Sequence, residues 1–176
     1  AVNEERRAKI ARKTKETDIT IDFSIDGSGQ ADIKSGIGFF DHMLEGFTRH
    51  GLFDMTAEIK GDIAVDCHHT IEDTGIVLGN AIKKAVGSKM GIKRYGSFML
   101  PMDETLVLCA IDICNRPYLS FDADFPTEKI GYMDTEMVKE FFYAISYSAG
   151  MNIHIKVING GNSHHMCEAM FKAFAK

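Results

Sequence analysis

The spacing of apolar residues divides the first half of the chain into five predicted elements. Apolar and polar positions alternate over residues 18–26, which indicates a strand, and residues 27–36 are typical of a turn into a second strand. Apolar residues recur at helical spacing over 38–51, and a glycine closes the segment, which predicts a helix. Alternation returns over 52–62 and helical spacing over 68–88. The predicted order is β-β-α-β-α.

The second half of the chain repeats this order of elements. Strands are predicted over 104–114 and 117–125, a helix over 135–150, a strand over 151–160 and a helix over 163–176. The repetition indicates an internal duplication.

This duplication predicts an α/β (α+β) fold of two β-β-α-β-α halves, residues 1–92 and 93–176, within one compact domain. Each half should form a mixed sheet covered by helices on one face. Because each half is short and its helices carry a broad apolar stripe, we expect the two halves to pack together. The segment 1–17 contains several Arg and Lys residues and fits either a basic arm or an initial strand.

Composition narrows the classes of function. The chain has 45% hydrophobic and 26% charged residues, which is typical of a globular domain, and its net charge of -5 argues against a nucleic-acid partner. No apolar run approaches the ~18 residues of a membrane span, and the first residues lack the apolar core of a signal sequence. Four cysteines without a C-x-x-C pair indicate reduced thiols and a cytoplasmic protein.

Two copies of the motif His-His-x-x-Glu carry the candidate chemistry. Residues 68–72 open one predicted helix, and residues 164–168 open the equivalent helix of the second half, 96 residues later. A single copy is weak support for a site. Two copies at matching places of a duplication favour metal binding over two pairs of helix-capping or solvated histidines.

Helix geometry favours two metal ions over one. Neighbouring side chains on a helix diverge by about 100°, so His68 and His69 suit ions on different sides, with Glu72 near the same face as both. Imidazole and carboxylate donors favour Mn, Fe, Co or Zn over Ca or Mg. Alignment of the two halves pairs His42 with Glu140 as further candidate ligands. The ion that each histidine serves stays open at this point.

The remaining histidines and the neighbouring cysteines fit simpler roles. His50 precedes Gly51 at a predicted helix end, where the helix dipole favours a cation. His154 alternates with apolar residues in a predicted strand. Cys67 and Cys167 flank the histidine pairs at non-equivalent positions, so we expect thiols rather than metal ligands.

Six segments carry a resemblance to a known family, and they stand in that family's order. They are "RKTKET", "GFFDHMLEGFTRHGLFD", "GD…DCHHTIEDTGIVLG", "GIKRYGSFMLPMDETL", "NRPYL" and "GGNSHHMCEAMFKAFA". Together they span nearly the whole chain and resemble the imidazoleglycerol-phosphate dehydratases of histidine biosynthesis. The paired histidine motifs with "PMDE" are specific to that family.

The resemblance implies a duplicated α/β fold, two Mn(II) ions per active site and a 24-subunit shell with active sites built between subunits. It implies loss of water from imidazole glycerol phosphate to give imidazole acetol phosphate. The implied metal ligands are His42, His68, His69, Glu72, Glu140, His164, His165 and Glu168. Glu140 stands where many members have histidine, and a carboxylate also binds Mn²⁺. The family usually continues into a Ser/Lys-containing tail that helps to hold the substrate phosphate, whereas the sequence stops at Lys176, so we expect that part of the phosphate site either to be absent or to lie outside these 176 residues.

Removal of a C–H proton from the substrate requires a general acid or base, for which Glu16 and Glu168 are the candidates. Arg94 and Arg116 match family positions, and their planar guanidinium groups suit phosphate. Lys172 shares a helix face with Glu168. Asp103 and Glu104 of "PMDE" either order a nearby loop or touch the substrate. The expected substrate contacts are Glu16, His42, His50, Arg94, Asp103, Arg116 and Lys172.

Two other classes of function stay open from the sequence. A dinuclear metallohydrolase of small phosphorylated substrates would use the same ligand types, although the duplication and the two arginines argue against it. A non-catalytic metal-binding shell would need no general base. A ferritin-like bundle would need four long helices with Glu-x-x-His pairs, and the strand-rich first quarter of the chain argues against that.

Overall fold

Two sheets of four strands, each with helices on one face, form most of the molecule. The structure, a computed structural model, describes residues 6–62, 64–65 and 67–176. The elements of the first half are β1 (Arg7–Lys13), β2 (Thr17–Ser24), β3 (Ala31–Lys34), α1 (Gly38–His50), β4 (Asp54–Gly61) and α2 (His68–Val86). Those of the second half are β5 (Tyr95–Met102), β6 (Thr105–Asp112), β7 (Tyr118–Asp122), β8 (Lys129–Ile130), β9 (Met133–Asp134), α3 (Glu136–Ala149), β10 (Asn152–Asn159) and α4 (Ser163–Ala175).

The two sheets share one topology, and the predicted α+β fold class is confirmed. The strand order is β1-β2-β4-β3 in the first sheet and β5-β6-β10-β7 in the second. In each sheet the first three strands are antiparallel, and the last, β3 or β7, runs parallel to its neighbour. Each half begins with one strand more than the predicted order, and β8 and β9 form a separate two-stranded ribbon.

The two additional strands have different reasons for their weak sequence signals. Of the two alternatives for the first segment, a basic arm or an initial strand, residues 7–13 form the strand β1, while residues 1–5 lie outside the described residues. Its polar side chains pair across the sheet, and Arg7 makes hydrogen bonds of 2.8 and 2.6 Å to Asp22. Strand β5 carries apolar side chains on both faces, including Phe98 and Met99, so the alternation that marks a half-buried strand is lost.

The helices of the two halves meet between the sheets. Helices α1 and α2 pack on the first sheet and α3 and α4 on the second, while α2 packs on α3 and α1 on α4. Aromatic side chains join the halves there, with ring centroids 5.4 Å apart for Phe40 and Phe141 and 5.6 Å apart for Phe47 and Phe174. Each half therefore buries its apolar helix faces against the other.

The uncovered faces of the two sheets differ in chemistry. Lys9 and Asp22 pair across the outer face of the first sheet. Met99 and Leu108 pair across the outer face of the second, where Tyr118 is 57% exposed. The duplicated halves have therefore diverged most visibly on these faces.

The connection between the halves is the segment 87–94, which joins α2 to β5. The predicted division between residues 92 and 93 falls within it and stays a prediction, because a connecting segment belongs to neither sheet. Of the helices that the structure describes, none is both long and apolar enough to cross a membrane.

Candidate metal and substrate site

Three ligand-type side chains converge where α1 packs against α4. His42 Nε2 lies 3.1 Å and His164 Nε2 lies 3.5 Å from the carboxylate of Glu168. The ligand atoms of all three residues lie within 4.8 Å of one another. Burial is the largest single effect and favours the protonated form of Glu168, but the charge and hydrogen bond of Lys172, 3.4 Å away, together with the contact with His42 keep the pKa of Glu168 below its usual value. Two imidazoles and an ionised carboxylate at this spacing fit a divalent transition metal.

A second group of possible ligands surrounds His165. Its Nδ1 lies 3.0 Å from Glu104 Oε1, and its Nε2 lies 4.0 Å from Asp103 Oδ2. Glu104 also accepts the N–H of Asn162 at 2.9 Å. That backbone bond, one from the N–H of Glu104 itself and the bond with His165 lower the pKa of Glu104 to about 2. The turn between β5 and β6 and the start of α4 build this group together.

The start of α2 repeats the arrangement seen at the start of α4. His68 Nε2 lies 3.3 Å from Glu72, and His69 Nδ1 lies 3.2 Å from Asp62. The rings of the two neighbouring histidines are almost perpendicular in both copies, at 86° and 80°. In each copy the first histidine faces the glutamate of its own helix, and the second faces a carboxylate from outside that helix.

One chain does not bring the two motifs into one group. Among residues 6–62, 64–65 and 67–176, both groups of at least three ligand-type side chains contain residues of α4, and neither contains a residue of α2. Helix α2 packs on α3 and the first sheet, whereas α4 packs on α1 and the second sheet. Glu140 is half-buried at the fifth position of α3, the helix that packs on α2, as His42 stands at the fifth position of α1, the helix that packs on α4.

Glu16 lies in the turn between β1 and β2, which is tied to the start of α2. Thr14 Oγ1 accepts the backbone N–H of Glu16 at 3.2 Å and that of Thr17 at 3.1 Å. Thr17 Oγ1 in turn donates a hydrogen bond of 2.7 Å to Asp73. Because Asp73 directly follows Glu72, this turn is held beside the α2 motif, with Glu16 exposed to solvent.

The predicted phosphate ligands Arg94 and Arg116 lie at the far end of the second sheet. Arg94 precedes β5 and donates bonds of 2.7 and 3.2 Å to Asp112. These bonds, and more weakly the charge of Arg116, hold the pKa of Asp112 below its usual value. Asp103 follows the opposite end of β5, whose 8 residues span roughly 25 Å. Arg94 is therefore remote from His165 within one chain.

The residues expected to play simpler roles lie outside the ligand groups. His154 is exposed on the outer face of the second sheet, and Cys67 and Cys167 are buried thiols that form no disulfide bond within the described residues. His50 ends α1, but burial and then the charge of Lys172 lower its pKa. Its imidazole is therefore mainly neutral at pH 7, rather than the cation that the helix end alone would favour.

Three polar residues that organise the site were not predicted: Asp62, Thr17 and Asp73. Thr17 and Asp73 are 56 positions apart in the chain, and Asp62 precedes the helix whose His69 it contacts. The sequence offers one indication for two of them, since Asp62 and Asp73 lie close to the "HHTIE" motif on either side of it. Glu104, by contrast, was expected to order a loop or touch the substrate.

Comparison with known proteins gives a consistent result. The sequence model for imidazoleglycerol-phosphate dehydratase matches residues 35–176. The imidazoleglycerol-phosphate dehydratase of Lachnoclostridium phytofermentans is 68% identical over 171 residues, covering 97% of this chain and 87% of that protein. The enzyme of Acetivibrio thermocellus is 56% identical over 172 residues, covering 98% and 88%.

Solved structures agree with these sequence matches. The imidazoleglycerol-phosphate dehydratase of Staphylococcus aureus subsp. aureus N315 superposes with a TM-score of 0.87 at 41% identity, covering 96% of this chain and 94% of that one. The enzyme of Pyrococcus furiosus, in complex with (S)-C348, superposes with a TM-score of 0.82 at 34% identity, covering 94% and 89%. Sequence and fold therefore lead to the same family.

Proposed function

The chain belongs to the imidazoleglycerol-phosphate dehydratase family of histidine biosynthesis, and we propose that it removes water from imidazole glycerol phosphate, giving imidazole acetol phosphate, with two Mn(II) ions per active site. The observation that carries the metal proposal is the convergence of His42, His164 and Glu168. A metallohydrolase and a non-catalytic metal shell are not favoured, because the matches to dehydratases cover nearly the whole chain.

The two motifs and their neighbours supply nitrogen and oxygen donors that suit Mn²⁺. Each first histidine shares an ion with the glutamate of its own helix, because these side chains already face each other. Each second histidine instead faces a carboxylate outside its own helix and would serve the other ion. When bound, the ions supply Lewis-acid stabilisation of negative charge on the imidazole ring of the substrate. The proposed ligands are His42, His68, His69, Glu72, Glu140, His164, His165 and Glu168.

Glu16 is the proposed general acid–base, and Glu168 acts as a ligand. The carboxylate of Glu168 is held by His42, His164 and Lys172 and has a lowered pKa, which suits a ligand better than a base. Glu16 is exposed on a turn that hydrogen bonds fix beside α2. In that place its carboxylate, which accepts a hydrogen bond of 3.3 Å from Thr14 Oγ1, is exposed and takes up the C–H proton of a substrate bound near the α2 motif.

The substrate phosphate binds to Arg94 and Arg116 in this proposal, with His50, Asp103 and Lys172 as further substrate contacts. The two arginines lie at the opposite end of the second sheet from Asp103. A phosphate ester as small as this substrate does not span such a distance, so the arginines of one chain complete the site of another. The separation of the α2 and α4 motifs within one chain supports the same conclusion.

Shared sites of this kind support self-association into a 24-subunit shell. The apolar outer face of the second sheet offers surface for contacts between subunits, whereas the charged outer face of the first sheet suits contact with water. A cytoplasmic location is part of the same proposal, because four cysteines that form no disulfide bond within the described residues suit a reducing compartment.

The substitution Glu16→Gln tests the proposed mechanism. It keeps the shape of the side chain and removes its acid–base chemistry, so we expect dehydration of imidazole glycerol phosphate to slow by about 10²–10⁴-fold at unchanged Mn content and particle mass. Glu58→Gln, at an exposed carboxylate on the outer face of the first sheet, should leave turnover unchanged. Full turnover by Glu16→Gln removes Glu16 from the mechanism. Hydrolysis of a generic phosphoester without dehydration would favour the metallohydrolase instead.

A further inference from the structure

We propose that Glu104 and Asp62 are positioning residues, which orient His165 and His69 so that the Nε2 atom of each ring is the metal ligand. This inference rests on the proposed metal sites and assigns a function to two carboxylates outside the proposed set of ligands. Each carboxylate contacts Nδ1 of the second histidine in a His-His pair, at 3.0 Å for Glu104 and 3.2 Å for Asp62.

The protonation of these rings follows from their partners. An ionised carboxylate only accepts hydrogen bonds, so the ring nitrogen that faces it carries the proton. Asp103 Oδ2, 4.0 Å from His165 Nε2, lies beyond hydrogen-bonding distance. The Nδ1 atoms of His165 and His69 are therefore the protonated nitrogens, and each Nε2 keeps a lone pair for a metal. Carboxylates that hold metal-binding histidines in this way fix the orientation of the ring and raise its basicity.

The surroundings of Glu104 are built around its carboxylate. Oε1 of Glu104 also accepts the N–H of Asn162, the residue whose side chain caps the start of α4. Gly161 leaves the space that Glu104 occupies, because a Cβ atom on Gly161 would lie 2.8 Å from Glu104 Oε1 and still closer to its Cγ. The loop before α4 is thus shaped to admit this one side chain.

The turn that presents Glu104 adopts an unusual backbone conformation. Met102 and Thr105 are paired across the hairpin, so Asp103 and Glu104 form a two-residue turn. Asp103 has φ of 50°, a left-handed value that costs a non-glycine residue roughly 1 kcal/mol. Such strain is retained where surrounding contacts require it, and here the turn directs Glu104 at His165.

Asp62 reaches His69 by a different structural route. It follows the end of β4 on the first sheet, whereas Glu104 comes from a hairpin of the second sheet. Two elements that are not equivalent in the duplication therefore place a carboxylate on the same ring atom of equivalent histidines. The first histidine of each pair, His68 or His164, directs Nε2 towards a glutamate of its own helix.

The test measures Mn²⁺ affinity of the assembled holoenzyme by competition with a chelating indicator. Glu104→Ala and Asp62→Ala should each lower the affinity for one of the two Mn²⁺ ions by about 10–100-fold, as loss of such partners does at other metal sites. Glu104→Gln keeps an accepting oxygen and should weaken binding less than Glu104→Ala. Gly161→Ala displaces the carboxylate of Glu104 without removing it and should lower the affinity for the same Mn²⁺ ion as Glu104→Ala does.

Two control variants separate a positioning role from a structural one. Asp54 accepts the N–H groups of Ser28 and Gln30, each at 3.0 Å, and so holds a loop as Glu104 does, but among the residues that the structure describes no histidine forms a hydrogen bond with it. Asp54→Ala should lower the melting temperature and leave Mn²⁺ affinity within about two-fold, well short of the loss expected for Glu104→Ala. If Glu104→Ala behaves like Asp54→Ala, the positioning role is overturned.

The ligand variant His165→Ala separates this inference from the proposed function. Weak Mn²⁺ binding in His165→Ala together with normal binding in Glu104→Ala and Asp62→Ala would remove the positioning role and keep the metal site. Normal binding in His165→Ala would overturn both, because the histidine would then not be a ligand. Loss of affinity in both His165→Ala and Glu104→Ala, with partial recovery in Glu104→Gln, supports both.

Discussion

The hydroxyl group of Thr17 connects the turn that carries Glu16, the proposed general acid–base, to α2, the helix of the first His-His-x-x-Glu motif. Thr17 is 3% exposed and donates its hydrogen bond to Asp73, while its neighbour Thr14 holds the turn around Glu16. A shift of about 1 Å in a reacting group costs up to about 10²-fold in rate. The orientation of Glu16 should therefore depend on a residue that never touches the substrate.

Thr17→Val removes this hydroxyl at nearly constant volume. We expect kcat for dehydration to fall by about 10- to 100-fold, because the turn loses its attachment to α2, while Mn content stays unchanged. Thr20→Val, on the outer face of the same strand, is the matched control and should retain wild-type kcat. A normal kcat in Thr17→Val would show that the attachment does not control Glu16.

Glu104 should also affect how stability depends on pH. Its pKa of about 2 in the folded chain, set first by the N–H of Asn162, lies below the ordinary value of 4.5. A lowered carboxyl pKa stabilises the fold fully above the unfolded value and loses that contribution as the pH falls towards 2. Melting temperatures of metal-free wild type and Glu104→Gln should therefore differ above pH 4.5 and converge towards pH 2. A constant difference over this range would contradict the assignment.

At the scale of residues, the sequence predicts side chains that act on their own helix and misses those that act across the fold. His68 and Glu72 are visible in the sequence because the spacing of a helix alone brings them to one face. Asp62 and Thr17 cannot be found in this way, because strand pairing and the packing of α2 decide what they contact. The roles of the predicted site residues stay predictions until the variants are measured.

At the scale of elements, α2 and α3 approach closely because glycines face the contact. A Cβ atom on Gly75 would lie 2.8 Å from the carbonyl oxygen of Phe141 and 2.9 Å from Cβ of Ala144. Gly79 is similarly close to Ser148. Helix α2 carries the first His-His-x-x-Glu motif and α3 carries Glu140. The distance between this motif and Glu140 therefore depends on how closely α2 and α3 pack.

Alanine substitutions at Gly75 on α2 and at Gly46 on α1 should have different effects on stability. Alanine normally stabilises a helix by about 1 kcal/mol relative to glycine. Gly75→Ala should nevertheless lower the free energy of unfolding by about 1–3 kcal/mol, because the carbonyl oxygen of Phe141 cannot move aside without shifting α3. Gly46→Ala on α1 should be neutral or stabilising, because within the described part of the chain an added Cβ atom there would meet no atom outside its own helix within 4 Å. Equal stability of the two variants in denaturant titrations would contradict the close packing.

The elements themselves were predictable wherever one face is apolar and the other polar. All four helices were expected close to their observed bounds, since each carries a single buried stripe. Strand β5 was not expected, because Met99 and Leu100 make both of its faces apolar. The apolar residues on the outer face of β5 also bear on assembly, since a sheet with an apolar outer face suits contact with another molecule.

At the scale of the whole molecule, the duplication provides two motifs without joining them. The helix layers of the halves share one core, yet the motif of α2 and the group at α4 stay apart within a chain. Hydrophobic periodicity predicts which faces a chain buries, but it does not predict how copies of the chain meet. The proposed shell and its shared sites therefore depend on the resemblance to the family and on the distances within one chain.

The most direct test of the account measures metal content, dehydration rate and particle mass on the same sample during removal of metal with EDTA and reloading with Mn²⁺. We expect turnover to fall as two Mn(II) ions per chain are removed, the shell to dissociate, because binding that holds subunits together stabilises the assembly, and both to recover with Mn²⁺. An intact shell without metal would contradict only the link between metal and assembly. Full turnover by a metal-free sample would contradict the central claim.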